Sequence, residues 1–118
     1  MSVSQLVHAE DRDFDQVVLS DPSPVLVEFF SSWCAHCGRM APLLAELARD
    51  YDGRLRVVQV DAETGAATVA RYQVEGVPTM IVFAGGREVR RFVGEMSKEA
   101  LEGEVERALA RLAQQGRS

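Results

Sequence analysis

The sequence has few cysteines and no long apolar run, and both shortages exclude whole classes of protein. Only two of its 118 residues are cysteines, whereas a small secreted scaffold held by disulfides spreads more of them along the chain. The longest apolar stretches, Val25–Phe30 and Val77–Ala84, are far shorter than the roughly 20 residues of a membrane-spanning helix. We therefore expect neither a disulfide framework nor a membrane protein.

One-sided charge is also missing. The net charge is −5 with no run of a single sign, which argues against a nucleic-acid partner. The first residues show no basic start followed by an apolar segment, so we expect a cytoplasmic protein. A chain of 118 residues that is 47% hydrophobic suits one globular domain, predicted to span residues 1–118.

Apolar patterning predicts the order β-α-β-α-β-α-β-β-α. The nearly continuous apolar run Val25–Phe30 indicates a strand buried on both faces. Gly85 and Gly86 are a strong hairpin signal. The other predicted segments are a weak strand at Ser4–His8, a helical face at Phe14–Leu19, a helix from Cys34 to about Asp50, a strand at Leu55–Asp61, a helix at Thr64–Tyr72, hairpin strands at Thr79–Phe83 and Glu88–Val93, and a last helix capped by Ser97. This order implies an α/β fold with a mixed sheet and helices on both faces.

The chemistry is concentrated in Cys34 and Cys37, which are spaced C-x-x-C directly after Trp33 at the start of a predicted helix. Such a pair can close a disulfide within one helical turn and reopen it. Unpaired N–H groups and the helix dipole favour a thiolate at the first position, so Cys34 is predicted to be the nucleophile. Cys37, one turn further in, is predicted to resolve the mixed disulfide.

A zinc site, a haem attachment site and a structural disulfide are the alternatives to a redox pair. A zinc site needs about four ligands, and the chain offers only His36 and His8 beside the cysteines, so no metal is predicted. Covalent haem attachment needs C-x-x-C-H, which the glycine at position 38 excludes. A purely structural disulfide over so short a loop would stabilise little. A redox function is favoured, with the zinc and structural interpretations left open.

Two ionisable residues near the pair are candidates for tuning it. A partly charged His36 beside Cys34 would stabilise the thiolate and make the couple more oxidising; the alternative is an exposed histidine without a role. Glu28 lies inside an apolar strand, where a carboxylate is costly unless it is paired or protonated. We expect it beneath the helix start, taking the proton of Cys37 through a water. The alternative is an edge strand with Glu28 facing solvent.

Trp33 and Pro78 are ambiguous from their own surroundings. Without the cysteine motif, Trp33 would be predicted to be a core aromatic. X-Pro bonds tolerate the cis form, yet the sequence alone favours an ordinary trans turn at Val77-Pro78.

The sequence resembles the thioredoxin family over roughly Val3 to Leu112. The matching segments, in order, are Val25–Phe30 with its acid, Trp33-Cys34-x-x-Cys37 with Pro42 behind it, Val60-Asp61, Gly76-Val77-Pro78-Thr79, and Phe92-Val93-Gly94. The resemblance implies a thioredoxin fold, with a mixed five-stranded sheet flanked by about four helices. It also implies that Cys34 attacks and Cys37 resolves, with no bound cofactor.

The same resemblance implies a substrate site and a redox partner. Trp33, Val77, Pro78 and Gly94 would line a shallow apolar groove for protein disulfide substrates, with Pro78 in the cis form. Glu28 takes the place of the family's buried aspartate. An NADPH-dependent thioredoxin reductase would recycle the oxidised protein, which is expected to be a monomer.

Several departures from the family pattern bear on the direction of electron flow. Ala35-His36 replaces the usual Gly-Pro between the cysteines, and His36 and Glu28 resemble disulfide isomerases and periplasmic oxidants. Val57 stands where many thioredoxins have a lysine partner for the buried acid. We expect a reduction potential between about −270 and −180 mV. The predicted function is reduction of protein disulfides; the alternatives are a disulfide isomerase or oxidase of the same fold, or a non-catalytic binding module.

Overall fold

The computed structural model describes residues 6–116. Within this range the elements follow the predicted order of strands and helices. They are β1 (Val7–Ala9), a π-helical turn (Asp15–Leu19), β2 (Val25–Phe30), α1 (Ala35–Asp50), β3 (Arg56–Asp61), α2 (Ala66–Arg71), β4 (Thr79–Ala84), β5 (Arg87–Val93) and α3 (Lys98–Gln115). No helix among the described residues is both long enough and apolar enough to cross a membrane.

The five strands form one mixed sheet in the order β1-β3-β2-β4-β5. β1, β3 and β2 run parallel, whereas β4 is antiparallel to both β2 and β5. Parallel neighbours need crossover connections, which the helical segments supply. The predicted mixed sheet is confirmed. Because β2 lies at its centre, the alternative that placed Glu28 on an edge strand is wrong.

Local sequence signals explain several boundaries. Gly85 and Gly86 both have positive φ, 59° and 82°, as a tight hairpin between β4 and β5 requires. The side chain of Ser97 accepts a hydrogen bond from the N–H of Ala100 and caps α3 as predicted. The first strand covers Val7–Ala9 and not Ser4–His8, of which Ser4 and Gln5 lie outside the described residues.

The sheet separates two apolar layers, and the alternation of side chains along β2 assigns each residue to one of them. Val25, Val27 and Phe29 belong to the layer beneath the π-helical turn and α2. Leu26 belongs to the layer beneath α1 and α3, which contains Met40, Leu44, Leu47, Leu101 and Val105. Glu28 has the same parity as Leu26, so it faces the layer that α1 covers.

Candidate active site

Cys34 is the N-cap of α1, and its sulfur makes the contact that a cap residue makes. Its backbone is extended (φ −92°, ψ 113°), and its Sγ accepts the N–H of Cys37 at 3.3 Å. The same sulfur lies 3.9 Å from the carbonyl oxygen of Val77. Both cysteines are free thiols. The Cys34 sulfur therefore accepts one of the N–H groups that have no partner within the helix at its start.

The pKa values of the two thiols are shifted in opposite directions. The hydrogen bond from the Cys37 side chain, followed by those from the backbone N–H groups of Cys37 and His36, lowers the pKa of Cys34. Burial, followed by the same contact with Cys34, raises the pKa of Cys37. Only a thiolate attacks a disulfide, so this asymmetry favours Cys34 as the attacking group.

A buried polar pair lies in the sheet on the face that α1 covers. Glu28 is fully buried and lies opposite Gln59 in the parallel register of β2 and β3. The amide Nε2 of Gln59 donates to Glu28 Oε1 at 2.8 Å, and Oε2 has no hydrogen-bond partner among the described residues. Burial raises the pKa of Glu28 to about 7, opposed by the Gln59 hydrogen bond. A carboxyl with such a pKa can take up or release a proton near neutral pH.

An apolar groove of about 550 Å³ opens beside Cys34. Trp33 and Val77, both expected here, line it; Trp33 is 77% exposed, so the interpretation of this residue as core is wrong. The other lining residues are Ser31, His36, Ala62, Glu63, Val69, Val74, Glu75 and Gly76.

Pro78 follows Val77 in the chain, and Gly94 contacts Pro78. The Val77–Pro78 bond is cis, so the trans turn favoured by the sequence alone is wrong and the cis form implied by the family resemblance is confirmed. The N–H of Gly94 donates to the Pro78 carbonyl at 2.9 Å, which joins the two residues. Their part in substrate binding stays a prediction.

The His36 side chain is directed toward Glu95, on the segment between β5 and α3. Its Nδ1 lies 2.8 Å from Glu95 Oε1, and Arg39 Nε lies 2.8 Å from Glu95 Oε2. The hydrogen bonds from Arg39 and then His36 lower the pKa of Glu95 to about 2. The ring of His36 is 64% exposed. Its predicted stabilisation of the Cys34 thiolate stays a prediction.

Two residues of this site were missed in the sequence, for different reasons. Gln59 interrupts an apolar strand just as Glu28 does, and this shared feature is the signal from which a buried partner could have been predicted. Glu95 left no such signal, because it is exposed and 59 positions away from His36.

A thiol of lowered pKa at a helix start, a buried thiol of raised pKa three residues later and an apolar groove beside them are the features of a thiol–disulfide oxidoreductase. The thioredoxin family model matches residues 5–107 of this chain. The chain therefore belongs to the thioredoxin family, has the thioredoxin fold and falls in the class of protein-disulfide reductases.

Curated relatives agree with this assignment. The chain is 34% identical over 107 residues to "Thioredoxin 1" of Nostoc sp., covering 91% of this chain and 100% of the relative. It is 41% identical over 96 residues to "Thioredoxin" of Staphylococcus epidermidis, covering 81% and 90%. It is also 40% identical over 95 residues to "Bifunctional thioredoxin reductase/thioredoxin" of Mycobacterium leprae, covering 80% of this chain and 21% of that longer protein.

Proposed function

We propose that Cys34 attacks disulfides of protein substrates and that Cys37 releases the reduced product. The observation that carries this assignment is the opposite shift of the two thiols: the pKa of Cys34 is lowered and that of Cys37 is raised. The position of Cys34 on the wall of an apolar groove supports a polypeptide substrate, since such a surface can bind an extended chain.

The reaction then has two exchanges. The Cys34 thiolate attacks one sulfur of the substrate disulfide; the substrate S–S bond breaks, and one substrate thiolate leaves. The Cys37 thiolate next attacks Cys34, which forms the Cys34–Cys37 disulfide and frees the second substrate thiolate. The substrate gains two electrons, and the protein is oxidised by two.

We assign to Glu28 the proton that Cys37 must lose before the second exchange. Burial raises the pKa of the Cys37 thiol, so this thiol does not ionise unaided at neutral pH. The pKa of Glu28, raised by burial to about 7, makes it a base of suitable strength. The charge of Glu28 raises the pKa of both cysteines in addition to the contacts already described, which supports an electrostatic connection between the buried acid and the pair.

The oxidised Cys34–Cys37 pair must be reduced again by an external electron donor, and we propose that this donor is a thioredoxin reductase. The Mycobacterium leprae relative, which carries both names in one chain, supports this partner. We further propose that the protein works as a cytoplasmic monomer. Analytical ultracentrifugation of the purified protein tests the monomeric state, and a sedimenting species of dimer mass would contradict it.

The test is insulin reduction by the wild type and by two matched variants, Cys34→Ser and Cys37→Ser. We expect both variants to lose turnover, and only Cys37→Ser to accumulate a mixed disulfide, which non-reducing electrophoresis and mass spectrometry detect. Accumulation with Cys34→Ser alone would reverse the two roles. Equal turnover by wild type and Cys34→Ser would instead indicate a binding module.

A disulfide isomerase or oxidase of the same fold is the second candidate, favoured by His36 between the cysteines and by the glutamate at position 28. The reduction potential of the Cys34–Cys37 couple separates the two functions. A value near or above about −180 mV would favour the isomerase or oxidase.

A further inference from the structure

Glu95 joins two basic side chains of α1 at the edge of the active site. One of its oxygens lies 2.8 Å from His36 Nδ1 and the other 2.8 Å from Arg39 Nε. A carboxylate can only accept hydrogen bonds, so Nδ1 carries the proton and donates it to Glu95. Arg39 Nη2 also lies 3.0 Å from Nδ1, but a nitrogen already donating to a carboxylate does not accept from a guanidinium. The carboxylate therefore determines where the ring points.

The contact with Glu95 determines which group of His36 interacts with the Cys34 sulfur. The backbone N–H of His36 supports Cys34, but the Nδ1 of its ring donates to Glu95. Arg39 is also within electrostatic reach of the sulfur, since first Glu95 and then the charge of Cys34 raise the pKa of Arg39. Two basic groups near the nucleophile thus share one compensating carboxylate.

We propose that Glu95 is a positioning residue that holds the His36 imidazole against its own carboxylate and away from the Cys34 sulfur, and so keeps the Cys34–Cys37 couple reducing. This inference rests on the proposed function, in which that couple is the reacting group. It explains how a histidine between the cysteines is compatible with a protein-disulfide reductase.

The direction of the effect follows from charge. Stabilising the Cys34 thiolate stabilises the reduced protein and makes the couple more oxidising. Removal of Glu95 deletes one negative charge from this part of the site. The surroundings of Cys34 therefore cannot become more negative. The freed ring can turn toward the thiolate, which adds to the same effect.

The measurement is the equilibrium of the purified protein with glutathione. The protein disulfide and two glutathione thiols give the protein dithiol and one glutathione disulfide, so two electrons and two protons move to Cys34 and Cys37. For Glu95→Ala we expect the equilibrium to move about tenfold toward the dithiol, which corresponds to about 30 mV. A side chain with only a structural role would not move this equilibrium.

Two comparisons make the result decisive. Glu104→Ala is the matched control, because it also removes a glutamate from an ion pair, with Arg90 at 2.6 Å. We expect it to leave the equilibrium unchanged. In Glu95→Ala/His36→Ala, at least half of the shift, on a logarithmic scale, should disappear. The proposal is overturned if Glu95→Ala moves the equilibrium no more than Glu104→Ala, or if more than half of the shift survives without His36.

Failure of this inference and failure of the proposed function are distinguishable. Insulin turnover by Cys34→Ser reports on the function alone, whereas the glutathione equilibrium of the Glu95 variants reports on the position of the ring. A catalytically competent Glu95→Ala protein with an unchanged equilibrium would overturn only the positioning of His36.

Discussion

Two glutamates of the site have pKa values that are shifted in opposite directions. Glu28, with Gln59, forms the buried floor of the site, and burial raises its pKa to about 7. Glu95, with His36 and Arg39, forms the exposed rim, and the hydrogen bonds from Arg39 and His36 lower its pKa to about 2. The same functional group is thus suited to exchange a proton at the floor and to hold a charge at the rim.

The contrast shows that the surroundings of a carboxyl group determine its role. At the floor a single neutral amide partner does not offset the loss of hydration, so the protonated form is favoured. At the rim two basic side chains favour the ionised form, but solvent screens their contribution to stability. We therefore expect floor variants to change stability and its pH dependence, and rim variants to change redox and substrate behaviour.

The largest expected effect is on the pH dependence of stability, through Glu28→Gln. Because the pKa of Glu28 is higher in the folded protein than its ordinary value of 4.5, the stabilisation is complete below pH 4.5 and is lost as the pH rises through about 7. The wild type should lose about 3 kcal/mol between pH 4.5 and 8.5 from this group. Urea unfolding at several pH values should show that Glu28→Gln removes this loss.

Glu95→Gln is the matched control for that experiment. Arg39 and His36 lower the pKa of Glu95 from 4.5 to about 2 in the folded protein, so its stabilisation is present above pH 4.5 and is lost only as the pH falls toward 2. Glu95→Gln should therefore leave the slope between pH 4.5 and 8.5 unchanged. An equal flattening by both variants would contradict the contrast between floor and rim.

A smaller effect is expected from Gln59→Met, which preserves side-chain size but deletes the amide donor. The hydrogen bond to Glu28 Oε1 lowers the pKa of Glu28, so its loss should raise that pKa further, by about one unit. A ¹³C NMR titration of the Glu28 carboxyl measures the change. Gln16→Met, at an exposed position, is the control. If it shifted the pKa of Glu28 by the same amount, the Gln59 hydrogen bond would not be what lowers that pKa.

The smallest expected change in stability is at the rim, with Trp33→Ala. Its side chain is 77% exposed, so the free energy of unfolding should change by no more than about 0.5 kcal/mol. The KM for a protein substrate should rise about fivefold because the groove loses an aromatic wall. Trp33→Phe should retain most of the binding. An unchanged KM for both variants would place the substrate elsewhere.

Local patterns in the sequence predict much of the fold. The apolar run of β2, the helical spacing of α1 and the paired glycines of the hairpin each depend on neighbours in sequence, and each prediction is confirmed. The cysteine spacing likewise indicated a redox pair. Segments with weaker local signals were less well defined: the first strand begins at Val7.

Features that depend on distant parts of the chain were not predictable in the same way. Glu28 was recognised as unusual, but its pairing with Gln59 depends on the register of two parallel strands joined through a helix. The exposure of Trp33 depends on what surrounds the loop that carries it. The contact of the His36 ring with Glu95 was not predicted, because no local pattern connects the two residues.

The proximity of Cys34 and Cys37 within one helical turn follows from the sequence alone, because covalent spacing and helix geometry impose it. The sequence also predicted an acid inside an apolar strand, but the burial of Glu28 depends on the central position of that strand in the sheet. The contacts of each ionisable group, in contrast, depend on the tertiary structure. Gln59 reaches Glu28 through strand register, and Glu95 reaches His36 through the chain's return after β5, because contacts between distant segments depend on packing of the whole sheet and its helices.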